Sequence, residues 1–574
     1  MRGKGVGGFD THSFTNDDIA GMLQDVAADL RMRGADRFQP AAYDRAARGV
    51  ATHPDSLARL WEAGRLRNVA GVGGSISQHL DELFRTGRVA YWDELISGIP
   101  EVIFDLLRIP GVGQVTAWNL ARAGVEDLED LERRLEAGSL VATGFREKQL
   151  AGIAAGLAEL NRRPDRMLLP VAESLAAPLL TALRGMVGVD HADVLGSLRR
   201  RTATQRNLDF GVAAAAIEPI LDGLRRLPSV LSVTREGEYA ASLMLDGGQP
   251  VDVRFAPPER YGVVQVWFTG SAAHVGRLAH RAIERGLRLT PDGLYDKSGN
   301  EMPAPDEVSV YQALGMNVPP AELREDWGEF EAGELPQPVT AEHLRGDCHT
   351  HTRWSDGRDT LLDMLEAIQA RGHQYAVITD HSYPNMDFVE RAREIEAARR
   401  LFPKLQLVNG LEVNITVEGG LQVPDDVLLM HQFCLASIHT GFRQPREVIT
   451  TRLLAALRHP SINGIAHPTG RLLLRREGID ADWEAVFDEC LRQDKFLEID
   501  GPPDRLDLPD DLVREAVRRG VKLTIDSDAH ATTELSHQLR GIDVARRGWA
   551  EPHHILNSLP WPAFAREAHV RGSR

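Results

Sequence analysis

The final third of this 574-residue chain is a series of short apolar runs separated by helical stretches, and nearly every run ends on a histidine or a carboxylate: "YAVITDH", "LQLVNGLEV", "FCLASIH", "INGIAHP", "FLEID", "KLTIDSDAH". Short apolar runs that alternate with helices have the rhythm of a βα barrel. In a barrel the carboxyl ends of the strands open at one mouth, so residues distant in sequence converge there. His349, His351, Asp356, His381, Glu412, His439, His467, Asp528 and His530 stand at those ends. His349 and His351 are two residues apart, which on an extended strand turns both imidazoles to one side, and Asp528 and His530 repeat the spacing. Mixed imidazole and carboxylate donors suit Mn, Zn or Fe ions, and a set of this size has room for two or three.

A chain of this length exceeds one hydrophobic core and predicts three or four domains. The first 160 residues are helical in pattern, from the capping Asn16 onward. Two small-residue turns recur there, in "VAGVGGSISQHL" around Gly71 and Gly73 and in "IPGVGQVTAW" around Gly111 and Gly113, with a weaker echo in "TGFREKQLAGI" at 143–153. Glycine turns that open a helix expose backbone N–H groups able to bind a DNA phosphate without reading sequence. From 165 to 318 the pattern is mixed α/β, and the acid- and proline-rich stretch 319–338 reads as a linker.

Composition narrows the function classes. Three scattered cysteines exclude a disulfide framework and a cysteine zinc site, and fit a reducing cytoplasm. No apolar run reaches the roughly 18 residues of a membrane span, and the first residues lack the apolar core of a signal peptide, so a cytoplasmic, nucleoid-associated monomer with no membrane partner is expected. A net charge of -17 argues against a general nucleic-acid coat but leaves local grips by arginines and backbone amides.

The runs "GDCHTHTRWSDG", "ITDHS", "GLEVNI", "SIHT", "AHPTGRLLLRR" and "DSDAH" resemble the motifs of the PHP (polymerase and histidinol phosphatase) domain, in particular the one that ends bacterial family X DNA polymerases. With "GSLRRRTATQRNLDFGV", "PVDVRFAPPERYG", "WFTGSAAH" and "GLRLTPDGLY", which are similar to that family's palm and thumb, the resemblance covers essentially the whole chain. It implies a multidomain α/β protein: a helical domain with a first helix-hairpin-helix at 1–90, a fingers-like helical domain with a second at 91–165, a nucleotidyltransferase-type palm at 166–262, a thumb at 263–318, the linker at 319–338, and a distorted (β/α)7 PHP barrel at 339–574. It also implies that the nine strand-end residues hold two or three divalent ions for 3′-to-5′ exonuclease or phosphoesterase chemistry on DNA. Arg471 and Arg475 are candidate phosphate clamps. Asn414 and Gln422 stand where the family often has Asp, and Glu418 replaces another.

In the palm the resemblance assigns Gly196, Ser197, Arg199, Arg200, Phe268, Thr269 and Gly270 to deoxynucleoside triphosphate binding. The family's three metal-binding acids fall on Asn207, Asp209 and Asp252, so one is an amide, a poor Mg²⁺ ligand. The nucleotide-reading Asn falls on Val275, and the lyase lysines fall on Ser75 and His79. The expectation is a DNA repair enzyme that acts on gapped, nicked or recessed ends, with a robust nuclease and weak or Mn-dependent synthesis where Mg or Mn occupies the palm. The alternatives are a normal gap-filling polymerase in which Glu236 or Glu238 replaces the missing acid, a non-catalytic DNA-end scaffold, and a small-molecule phosphatase.

Overall fold

The computed structural model describes residues 16–572 apart from 33–37, 52, 54–56, 93–101, 108, 110–111, 137, 141–144, 163–165, 247 and 384. It divides into two compact units, with the boundary between Arg166 and Met167. In the first unit, helices Asn16–Met32 and Phe38–Ala51 pack through Ile19, Leu23, Val26, Ala46 and Val50, none of which is exposed. A turn at 69–73 then leads into helix Gly74–Thr86, capped by Gly73. Gly71 has φ +77°, and a Cβ there would lie 2.4 Å from the backbone of Arg45, so only glycine lets the turn rest on the preceding helix. Helix Gln114–Arg122 starts in the same way, with Gly113 as its N-cap. Gly111 and residues 143–144 of the third echo lie outside the described residues.

The second unit begins with the short pair β1 (Met167–Leu168) and β3 (Thr204–Gln205). Its first large sheet has β2 (Val189–Val194), β4 (Leu208–Ala214), β5 (Val230–Arg235), β6 (Ala240–Leu245) and β7 (Pro250–Ala256) in the order 2-4-7-6-5. Helices Leu169–Arg184 and Glu218–Arg225 contribute Leu179, Leu183, Ile220 and Leu224 to the core against Phe210, Val212 and Val253. Helices Tyr261–Thr269, Ala272–Glu284 and Glu307–Ala313 follow, with the antiparallel sheet β8 (Arg288–Thr290), β9 (Gly293–Tyr295), β10 (Glu301–Met302).

The barrel strands are β11 (Gly346–Thr350), β12 (Tyr375–Ile378), β13 (Gln406–Asn414), β14 (Phe433–Ser437), β15 (Gly464–Ile465), β16 (Phe496–Asp500) and β17 (Lys522–Asp526). They pair in parallel and in chain order, as the βα rhythm requires. A parallel bridge between Thr350 and Ala529, and a hydrogen bond from the Cys348 amide to Asp526 Oδ1 (2.7 Å), tie the first strand to the last. Among the described residues no helix is long and apolar enough to cross a membrane.

Residues 319–338 are not a free linker. Arg324 is 2% exposed, pairs with Glu307 and donates to the carbonyl of Pro319. Glu329 is 4% exposed, lies 2.6 Å from His274 Nδ1 and accepts the amides of Asp326 and Trp327. Glu322 pairs with Arg546, and Glu325 with both Arg200 and Arg547. The composition reads as solvated because the arginines that receive these acids lie on distant elements. Breaking a buried pair strands its partner, so Arg324→Ala should cost on the order of 3 kcal/mol. Limited proteolysis should leave 319–338 intact in the wild type and cut it in the variant.

Candidate functional site

All nine strand-end residues converge at the barrel mouth. Four groups of them, His351/Asp356/His381/His530, His349/His351/Glu412, His349/His467/Asp528 and His381/Glu412/His439, each bring their donor atoms within 4.8 Å of one another. Glu412, at 1% exposure, is shared: its Oε2 lies 2.7 Å from His381 Nδ1, 3.5 Å from His349 Nε2 and 3.6 Å from His351 Nε2. Its Oε1 lies 3.0 Å from His467 Nε2 and 3.3 Å from His439 Nε2. Asp528 Oδ1 is 3.0 Å from His351 and 3.4 Å from His349, and Asp356 Oδ1 is 3.3 Å from His530 and 3.6 Å from His381. His467 and Asp528 are held at φ +28° and +45°, a backbone region that non-glycine residues enter at a cost and usually for a reason.

The donor set fits divalent ions. His349 Nε2, His351 Nε2, His467 Nδ1, Asp356 Oδ1 and Glu412 Oε2 are buried with no hydrogen-bond partner, an arrangement that is costly unless cations take the lone pairs. Burial lowers the pKa of His351 to about 4 and of His439 to about 3, so both are neutral imidazoles near pH 7, the form that ligates metal. Burial alone would raise Glu412 and Asp356, but the surrounding imidazoles hold both well below the ordinary carboxylate range.

In the palm, Asp209 and Asp252 stand opposite each other across the parallel strands β4 and β7. The Asn207 amide donates to both, to Asp209 Oδ1 at 3.0 Å and to Asp252 Oδ2 at 2.6 Å. Burial, and then the charge of Asp252, push Asp209 up to about 6. The β6 residue paired with Asp252 is Ser242, while Glu236 and Glu238 are exposed in the turn before β6. Gly196 has φ +60°, and a Cβ there would meet Asp209 Oδ2 at 2.1 Å, so glycine alone lets this loop lie against the acid. Ser197 donates to Gln205. Arg199 forms a fork with Glu307 (2.7 and 2.9 Å) and donates to Thr269 Oγ1, while Arg200 donates to Glu325 (2.8 Å) and to the carbonyl of Thr269. Arg254 stacks over Phe268, and Gly270 leaves room for His274 and Val275. The glycine loop and the 268–270 segment, 70 residues apart in sequence, therefore meet.

Three family matches follow the same boundaries: a helix-hairpin-helix domain over 14–89, the DNA polymerase beta thumb over 264–325 and the PHP domain over 347–500. The "DNA polymerase/3'-5' exonuclease PolX" of Bacillus subtilis is 31% identical over 555 residues, which cover 94% of this chain and 97% of the relative. The chain belongs to the family X DNA polymerases that carry a PHP domain. Probable phosphatases of Acetivibrio thermocellus and Thermoanaerobacter sp. match only 33% and 37% of this chain, at 26% and 24% identity, while covering 80% and 89% of their own lengths.

Within this family X chain, sequence reasoning passed over the residues that orient the ligands. Glu498, fully buried on β16, accepts from His349 Nδ1 (2.7 Å) and from the His467 amide (2.6 Å), so His349 presents Nε2 to the cage. Asn414 Oδ1 accepts the His439 amide at 3.3 Å. Arg471, expected to be a clamp, donates instead to the carbonyls of Arg505 and Leu506, and Arg475 sits in the turn just beyond. Ser75 is exposed, and His79 Nδ1 lies 2.9 Å from the Tyr43 hydroxyl.

The raised Asp209 pKa has a stability consequence in metal-free protein. Its folded value of about 6 lies above the unfolded value near 3.8, so the stability present below pH 4 is lost as pH rises through 6. Asp209→Asn should thus stabilise the metal-free palm by roughly 2–3 kcal/mol at pH 8 and leave it unchanged at pH 4. Unfolding of both proteins across that range checks this.

Proposed function

We propose that this family X chain degrades DNA 3′ ends in the PHP barrel and synthesises DNA weakly, or with Mn²⁺, in the palm, acting at gapped, nicked or recessed ends as a cytoplasmic, nucleoid-associated monomer. The observation that carries the nuclease half is the convergence of nine donors on the shared Glu412, with buried lone pairs on five of them left unpartnered. His349, His351, Glu412, His467 and Asp528, with Asp356, His381, His439 and His530, would hold two or three ions of the Mn, Zn or Fe type. When bound, such ions lower the pKa of water and neutralise charge on phosphate oxygens. The chain's own contribution is to fix the donors: Glu498 sets the His349 tautomer, and burial keeps His351 and His439 neutral. The exposed N-caps Gly73 and Gly113 present helix N-termini to DNA phosphates, which favours a polynucleotide over a small phosphate ester.

The palm reading rests on Asn207. A carboxylate there would add a third charge and a bridging ligand, whereas the amide spends its N–H groups on the two remaining acids. Deoxynucleoside triphosphate would bind beside Gly196 and Ser197, with Arg199 and Arg200 exchanging Glu307 and Glu325 for phosphate oxygens. With Ser242 opposite Asp252, no compensating acid stands across the sheet, which weighs against the gap-filling alternative.

One gel assay on gapped and recessed DNA, in Mg²⁺ and in Mn²⁺, tests both halves. His349→Ala with His351→Ala should abolish degradation while DNA binding persists. Asn207→Asp should raise incorporation in Mg²⁺ at least about tenfold, some 1.4 kcal/mol of barrier, without changing degradation. Wild-type extension in Mg²⁺ as fast as that of Asn207→Asp would replace this reading with the gap-filling polymerase, and degradation surviving the double histidine change would remove the barrel from it.

A further inference from the structure

Arg505 lies on the segment 502–507 that leaves β16 at the barrel mouth, and its side chain is 24% exposed. A guanidinium carries five N–H donors, and buried or half-buried ones are normally satisfied. The other inward arginines of the barrel follow that rule. Arg391 donates to Asp380, Asn409 and the carbonyl of Ile378; Arg452 donates to Gln444 and to the carbonyls of Ile415 and Thr440; Arg471 donates to two carbonyls. Among the described residues Arg505 makes no side-chain hydrogen bond, and its nearest carboxylate, Asp500 Oδ2, is 3.9 Å from Nε. Burial works against its charge, but Asp528, Asp500, Asp504 and Asp507 more than offset that and hold it protonated. Its field also reaches His439 on the other side of the mouth. A fixed cation therefore stands between two of the nine ligands with its donors unspent.

The segment that carries it is braced from several sides. Arg471 Nε donates to the Arg505 carbonyl at 2.8 Å and its Nη2 to that of Leu506, and the Leu473 amide donates to the Asp504 carbonyl at 2.7 Å. Asp507 pairs with Asp500 through both backbone groups, and its Oδ1 accepts the Thr469 amide at 3.0 Å. Leu506 sits at φ +47° within this clasp. An arginine needed only as a counter-ion would close on Asp500, whereas this one is held off it.

We propose that Arg505 binds the phosphate group at the barrel mouth, its N–H fork meeting non-bridging phosphate oxygens, and that Arg471 is the positioning residue that braces its loop. The fork matches phosphate in two-point geometry, which a lysine cannot reproduce. The proposal rests on the reading of the barrel as a phosphoesterase site and names the protein group that grips the substrate there.

Isothermal titration of the zinc-loaded full chain with inorganic phosphate tests it, with metal content and unfolding midpoint measured alongside. Arg505→Ala should weaken phosphate binding about tenfold or more at unchanged metal content, and added guanidinium should restore part of the loss. Arg505→Lys keeps the charge beside Asp500 and Asp528 and should still lose affinity, by about threefold or more. Arg471→Ala should weaken binding less than Arg505→Ala does. If Arg505→Lys binds phosphate as the wild type does, or if Arg505→Ala does so with its metal in place, the proposal is overturned. Loss of metal in Arg505→Ala with wild-type phosphate binding in Arg505→Lys makes Arg505 a counter-ion and overturns it as well. Arg505-dependent phosphate binding in a wild-type chain that degrades no DNA leaves the clamp standing and removes the nuclease reading.

Discussion

A buried carboxylate ringed by imidazoles governs this molecule. Glu412 faces five histidines from a position 1% exposed to solvent, and several of the facing atoms have no hydrogen-bond partner. Without cations such a site concentrates lone pairs and unpaired charge in a region of low polarity, at a free-energy cost that ordinary protein interiors avoid. The surrounding fold absorbs that cost by over-determining the geometry. Strands in chain order bring the donors to one mouth, Glu498 locks a tautomer, and His467 and Asp528 are held in backbone conformations they would not choose alone.

The palm shows the opposite treatment of charge. Its two acids also face each other, and burial together with their mutual repulsion raises Asp209, but the neutral amide of Asn207 takes up their inner oxygens. An arrangement that satisfies itself by hydrogen bonding has less need of an ion than one that cannot. The arginines of the glycine loop are likewise engaged: Arg199 and Arg200 with Glu307 and Glu325, and Arg201 with Asp543 on helix Gln538–Arg547 of the barrel domain. Glu325 also binds Arg547, so this cluster joins the palm loop, the 319–338 stretch and the barrel domain.

The nine ligands were legible because their signal is local: a histidine or carboxylate at the end of an apolar run, twice at the two-residue spacing of a strand. The barrel was legible for the same reason, since its strands are buried on both faces and read as continuous apolar runs. The packing of 319–338 was not, because acids look solvated until the arginines that meet them are seen, and Arg200 meets Glu325 across 125 residues. Glu498 looked like an interior strand acid with no periodic signature. Arg471 and Arg505 could not be told apart from sequence, since both are single arginines in loops after strands. What separates them is that one donates to carbonyls while the other keeps its donors free of hydrogen bonds.

The central claim is that the barrel mouth is built to hold more than one divalent ion around Glu412. Metal stoichiometry tests it most directly: equilibrium dialysis of chelator-stripped wild-type protein against Mn²⁺ or Zn²⁺, followed by elemental analysis, with Glu412→Gln as the comparison. The account predicts two or three tightly held equivalents in the wild type and a loss of most of them when the shared carboxylate becomes an amide. One equivalent or fewer in the wild type, or a full complement retained by Glu412→Gln, would contradict it.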